Sequence, residues 1–256
     1  MTKWYGDYSF VLHNLMAKDF RVRYRNMSLG IFWSILNPLI LMGVLTFIFT
    51  KIFTSPQTPN YPVFVLCGLI PFNFMSISWS IGTNSIVDNT ALIKRTTFPK
   101  EIIPIASVLS NCLHLLIQIG LLLTLVLAVG SGINRYWLWL PYVWGFEVVF
   151  VCGLVLLCSA LNVYIRDMRY IVEASCTVLF WLVPIFYSFA MIPEKYQNVY
   201  QFNPVAAIVL ALRSILLESS PPASSLLIKL ALSSLAILTV GWLAFGRAKR
   251  RFYDYL

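Results

Sequence analysis

The chain has 256 residues, 59% of them hydrophobic, with 19 Lys and Arg against 10 Asp and Glu. Its charged share of 11% is less than half of the roughly one quarter that soluble domains carry, and its mean hydropathy is +0.78. Water-soluble and disordered chains are excluded, which leaves a multispanning membrane protein.

No short apolar stretch ahead of a small-residue cleavage site precedes the charged positions of segment 1–28, so no removable signal peptide is expected. Within it, Tyr8, Val11, Leu12, Leu15, Met16 and Phe20 recur at helical spacing with Asn14, Arg21 and Arg25 opposite. This predicts an amphipathic helix lying along the cytoplasmic interface. Uncharged runs at 26–50, 52–87, 102–134, 148–165, 174–193, 196–212 and 230–246 then follow. A helix needs about 20 apolar residues to cross the hydrocarbon core, and spans are expected at 29–50, 63–85, 103–130, 138–164, 171–191 and 225–246. With the N-terminus inside, most Lys and Arg fall on the cytoplasmic side, and only Lys51, Arg135, Lys195, Arg213 and Lys229 fall outside. The positive-inside rule therefore places both termini, including the tail 247–256, in the cytoplasm.

Between the second and third spans, Asp88 to Thr90 offers N-cap chemistry, and Lys94 and Arg95 suit a helix C-terminus. Pro99 ends the segment. The expectation is a short cytoplasmic helix shaped to receive a mechanical push. Segment 192–224 is external, yet residues 205–217 are too apolar for a solvated loop and too short to span. Asn203-Pro204 starts this stretch and Pro221-Pro222 closes it, which fits a re-entrant helical hairpin. The fold class is thus all-α: a polytopic membrane protein of six transmembrane helices, an N-terminal interface helix and a re-entrant external hairpin, forming one domain over 1–256.

Catalytic motifs are missing from this pattern. The sequence has no G-x-x-x-x-G-K-[ST] loop, no H-E-x-x-H and no G-x-S-x-G, and two histidines do not make a multi-histidine metal site. Neither catalytic nor metal-binding residues are assigned. The five cysteines lie in apolar runs without CxxC spacing and read as small buried side chains. Ser107, Asn111, His114 and Gln118 share one face of the third span. They serve interhelical hydrogen bonds, or a face toward a partner subunit or a wet path. Glu147 sits about nine residues into the fourth span, where an ionisable group needs a partner; His114 and Arg213 both qualify. Aromatics within spans include Trp33, Phe72, Phe74, Trp79, Trp181, Phe186 and Tyr187. They pack in the core or against lipid, or they line a path for sugar rings.

Residues 23–38 (RYRNMSLGIFWSILNP), Gly68–Phe74 (GLIPFNF), Leu92–Pro99 (LIKRTTFP), Leu161–Asp167 (LNVYIRD), Trp181–Tyr187 (WLVPIFY) and Asn203-Pro204 with Arg213 resemble, in order, the motifs of polysaccharide-export ABC transporter permeases. The O-antigen branch is most similar, with teichoic acid and capsule exporters as near relatives. The resemblance implies a permease of the bacterial inner membrane, not an enzyme, that forms a homodimer and pairs with two separate ABC ATPase chains. These partner chains would bind ATP and Mg. It implies that the N-terminal helix and the 88–99 loop (Asp88, Leu92, Lys94, Arg95, Phe98 and Pro99) touch the ATPase. Residues 195–220, with Asn203, Pro204 and Arg213, would form the outward gate. The substrate would be a polysaccharide on a polyprenyl-diphosphate carrier, drawn to Arg21, Arg23 and Arg25 at the entrance and moved along an aromatic-lined channel. The competing classes are a membrane-embedded enzyme of lipid-linked glycan synthesis and a passive channel.

Overall fold

A computed structural model describes residues 6–25, 30–52, 59–95, 98–130 and 132–255, with the side chains of Arg23 and Tyr24 outside the description. All regular structure among them is helical. The first helix, α1 (Tyr8–Tyr24), starts where the Asp7 carboxylate accepts from the amides of Ser9 and Phe10 at 2.8 and 3.3 Å. Asp7 thereby satisfies two of the donors that a helix start leaves open. Leu15 is buried with Val11, Leu12 and Met16 packed beside it, and Asn14, Arg21 and Arg25 are exposed as expected, but Tyr8, expected on the apolar side, is 54% exposed.

Next come α2 (Trp33–Phe47), α3 (Tyr61–Asp88), the short α4 (Thr90–Arg95), α5 (Ile102–Ala128) and α6 (Leu140–Tyr164). The chain continues through α7 (Met168–Leu182), α8 (Glu194–Phe202), α9 (Pro204–Leu216), α10 (Ser224–Ala248) and the terminal turn α11 (Phe252–Tyr255). Five helical stretches are long and apolar enough to cross a membrane: Gly30–Ile52, Tyr61–Asp88, Ile102–Ala128, Arg135–Tyr164 and Ser224–Tyr255. These correspond to the first, second, third, fourth and sixth expected spans.

The fifth departs from expectation. A single helix over 171–191 was expected, but α7 ends at Leu182 after 15 residues. Pro184 has no amide proton to continue the ladder, and it forces the preceding Val183 into extended backbone at ψ 136°. The carbonyls this frees are taken up locally: the Tyr187 hydroxyl donates to the Leu182 carbonyl at 2.6 Å. The expected hairpin is present as the helix pair α8 and α9, with a bend of 101° between them. At the corner the Asn203 side chain accepts from the Val205 amide at 3.0 Å and Pro204 opens the helix, an N-cap with proline at the first helical position.

At the centre of the bundle stands α3, 28 residues long and flanked by α2, α5, α6, α7 and α9. The most extensive helix pair is α6 with α10, and it closes through glycine. A Cβ added to Gly153 would lie 2.6 Å from the Leu238 amide nitrogen, and one on Gly241 would strike the Gly153 carbonyl oxygen. Lipid supplies no hydrophobic drive between helices, so such backbone-to-backbone approach is how they gain packing energy. One large apolar cluster fills the middle of the molecule. A second, built on Leu15, Ile86, Ile93, Ile102, Phe245 and Phe252, sits at the end bearing most of the Lys and Arg residues, hereafter the basic end.

Candidate functional site

Four elements meet at the basic end: α1, α4, the start of α5 and the tail after α10. Ile93 of α4 is 1% exposed and anchors the short helix in the second cluster. Leu92, Phe98 and Pro99 are half-buried, while Asp88, Lys94 and Arg95 are exposed. Thr90 and Asn89 turn their side chains back onto the Val87 and Ser85 carbonyls, at 2.6 and 2.8 Å, and the Asn89 carbonyl accepts the Leu92 and Ile93 amides. Those back-bonds leave the Asn89 side-chain oxygen to accept from the Lys18 ammonium of α1 at 2.5 Å.

The tail holds α4 from the other side. Lys249 forms an ion pair with Glu101 at 2.9 Å, and the Tyr253 hydroxyl donates to the Ile93 carbonyl at 3.3 Å. Phe252 is fully buried against Phe245, their rings 5.4 Å apart. Lys100 lies 3.6 Å from the Tyr253 ring centroid, within cation–π range. Burial, and then the neighbouring Lys249, hold the Lys100 ammonium below the usual lysine range, with Glu101 opposing. Asn89 was read only as part of the N-cap stretch, and the packing of the tail was not read at all; Phe252, an aromatic following the basic run Lys249–Arg251, was the available signal.

Of the proposed entrance residues, Arg21 and Arg25 are exposed on and just after the last turn of α1, and the Arg23 side chain lies outside the described residues. Nearby, the Phe20 ring is 6.1 Å from that of His114 on α5. Ser34 bridges α2 to α5: its hydroxyl is 2.8 Å from His114 Nδ1, and its carbonyl accepts from Gln118 at 3.0 Å. Asn111, one turn earlier, is 1% exposed and neither side-chain atom has a hydrogen-bond partner.

Glu147 is also 1% exposed and without a hydrogen-bond partner. Neither expected partner reaches it. His114 is engaged by Ser34, and Arg213 is committed elsewhere.

The seven aromatics separate into two sets. Trp33 and Trp181 are exposed and Tyr187 is half-exposed. Phe72, Phe74, Trp79 and Phe186 are packed inside the protomer; Trp79, for instance, donates to Cys158 Sγ at 3.1 Å. These four are held by neighbours within the bundle, with Phe74 also on the wall of a cavity between α2, α3 and α5 and Phe72 on one between α3 and α7.

At the opposite end Arg213 of α9 is 4% exposed. Its Nη2 donates to the Ile185 carbonyl at 2.7 Å, with the Phe64 carbonyl at 3.4 Å. The guanidinium stands 3.4 Å from the Phe64 ring centroid. Tyr61 donates to the Phe186 carbonyl at 2.7 Å, and a Cβ on Gly68 would come within 2.9 Å of Ile185 Cα. The irregular segment after α7 is thus pressed onto α3 at a glycine and pinned by one guanidinium and one phenol.

A bundle of apolar helices, one sharply bent helix pair and a short helix clamped at the basic end define a polytopic α-helical membrane protein. Residues 11–217 match the ABC-2 type transporter family, and the chain belongs to that family. It is 32% identical over 240 residues to the O-antigen export system permease protein RfbA of Klebsiella pneumoniae, covering 93% of this chain and 92% of that one. It is 27% identical over 250 residues to the O-antigen export system permease protein RfbA of Myxococcus xanthus, with 97% and 96% covered. Similarity extends to the polysialic acid transport protein KpsM of Escherichia coli, at 26% over 200 residues and 76% of each chain.

Proposed function

We propose that this chain is the membrane subunit of an ATP-driven exporter that moves a polyprenyl-diphosphate-linked polysaccharide outward across the bacterial inner membrane. An O-antigen is the first choice of cargo, with capsular polysaccharide or teichoic acid as the alternatives. The observation that carries this reading is the near full-length similarity to permeases named for O-antigen export. Two copies of the chain and two ABC ATPase chains make the working unit, and ATP and Mg are held by the ATPase chains. The basic end is cytoplasmic in this arrangement, with both termini inside, a placement that the concentration of Lys and Arg there supports.

The geometry supplies a mechanism. Lys94 and Arg95 project from α4 toward the ATPase, and Ile93, the Lys18–Asn89 bond and the Lys249–Glu101 pair pass its displacement to α1, α5 and α10 together. Arg21 and Arg25 present positive charge to the carrier diphosphate at the cytoplasmic entrance. At the far end, α9 and the segment pinned by Arg213 act as the outward gate. The test is reconstitution with an ABC ATPase that co-purifies with this chain. The reading expects ATP-dependent movement of lipid-linked glycan into inverted proteoliposomes, and ATP turnover that responds to this chain. Glycosyl transfer by the purified chain without an ATPase would contradict it.

A further inference from the structure

Two cavities adjoin at the basic end, on either side of Pro99 and Glu101, which line both. The larger, about 500 Å³, lies between α1, the start of α5 and α10. Its walls repeat at helical spacing, with Tyr8 and Leu12 on α1, Ile102 and Ile105 on α5, and Trp242 on α10. Residues three or four apart share a helix face, so three faces converge on one apolar slot. Tyr8 and Trp242 are 54% and 50% exposed, and the slot is open at the surface of the bundle. The smaller cavity, about 280 Å³, is walled by Lys100, Lys249, Arg250 and Tyr253. Three cations stand there against one carboxylate, and that carboxylate, Glu101, is already paired with Lys249.

The positive-inside rule accounts for cations at this end but gives no reason to draw one out of water. Lys100 is half-buried. An ammonium has three protons to donate, yet its hydrogen bond to the Lys249 carbonyl is long, at 3.5 Å. Burial, then the neighbouring Lys249, hold Lys100 below the usual lysine range, and an anion beside it would oppose both effects. Trp242 precedes Lys249 by seven residues, about two turns or roughly 10 Å of helix on the same face. The charge therefore lies at one end of the slot and the apolar wall runs away from it. A free phosphate would leave the slot empty, and an uncharged lipid would leave the cations unanswered. A phosphate carrying an acyl chain answers both.

We propose that the two cavities form one site for an anionic phospholipid of the adjacent leaflet, its phosphate between Lys100 and Arg250 and one acyl chain in the slot between α1, α5 and α10. The site goes beyond the export reading and does not depend on it, since its occupant is a lipid of the bilayer and binding needs neither glycan nor ATPase.

The experiment titrates the full, lipid-depleted chain in mild detergent with dioleoyl phosphatidylglycerol and reads bound lipid by native mass spectrometry. Dioleoyl phosphatidylethanolamine, with the same chains and no net charge, and glycerol 1-phosphate, with the charge and no chains, are the comparisons. One phosphatidylglycerol should bind at least tenfold more tightly than phosphatidylethanolamine, and glycerol 1-phosphate should not displace it. The double variant Lys100→Gln/Arg250→Gln should abolish the preference for phosphatidylglycerol, while Trp242→Ala should weaken both lipids several-fold. Arg166→Gln/Arg169→Gln removes two exposed cations outside the site and should leave the preference intact. All these positions are at least partly exposed, and melting curves confirm that each variant folds. Equal binding of the two lipids overturns the proposal, as does a preference that survives Lys100→Gln/Arg250→Gln or falls as far in Arg166→Gln/Arg169→Gln. Displacement by glycerol 1-phosphate, with Trp242→Ala binding as wild type, would show a free-phosphate site and overturn the lipid assignment.

Discussion

The two ends of the molecule are held together in different ways. At the basic end the ties are long side chains reaching between elements: Lys18 to Asn89, Lys249 to Glu101, Tyr253 to Ile93. The two side chains of the ion pair are 31% and 18% exposed, and such part-exposed pairs contribute only about 0–1 kcal/mol each. At the opposite end the ties are buried. Arg213 is 4% exposed, Ile185 is fully buried, and α9 is buried along most of its length. Weak, wet ties can break and re-form within one transport cycle; dry ties hold a shape until a larger force arrives. On the proposed function, the soft end is the one an ATPase would push and the stiff end the one that would act as the gate.

The largest expected effect comes from breaking what joins the two ends. Gly241→Leu drives a side chain into the Gly153 carbonyl and leaves α6 and α10 no close crossing. A loss of about 3 kcal/mol or more is expected, seen as loss of the monodisperse peak in size-exclusion melting. Next comes the stiff end. Arg213→Met removes the donor that pins the Ile185 carbonyl. A charged hydrogen bond contributes roughly 1.5–3 kcal/mol, so amide exchange over residues 183–188 should quicken about ten- to hundredfold while α10 exchanges as before. Smallest is a single tie at the soft end. Lys18→Met should change thermal stability by less than about 1 kcal/mol, measured by the same melting assay, and should lower transport per ATP by a modest factor.

Much of this architecture was legible in the sequence, because helix length and charge placement report on the membrane directly. Five of six expected spans, the amphipathic α1 and the short α4 follow from apolar runs and from the Lys and Arg around them. The fifth span was mistaken because its apolar run continues through Pro184, and hydropathy carries no information about a missing amide proton. The re-entrant hairpin was legible because Asn203-Pro204 writes a helix start into an apolar stretch too short to cross. Side-chain partnerships were the least legible. Glu147 looked destined for His114 or Arg213, yet each of those residues had a nearer backbone or hydroxyl partner. At α4 likewise, Asn89 and Thr90 bond local carbonyls, and the Asn89 side-chain oxygen is taken by Lys18. The tail was overlooked because Lys249 to Arg251 read as topology, although Phe252 beside them packs into the core.

The central claim is that the ties of the basic end transmit the stroke of the ATPase, and the Glu101–Lys249 pair tests it most directly. In proteoliposomes holding this chain and its ATPase, ATP hydrolysed per glycan moved is to be measured for Glu101→Lys, Lys249→Glu and the double exchange. The account predicts that each single reversal raises that ratio several-fold, with ATP turnover retained, and that the double exchange brings it back toward wild type. Ratios equal to wild type in both single variants, with glycan still moved, would contradict it.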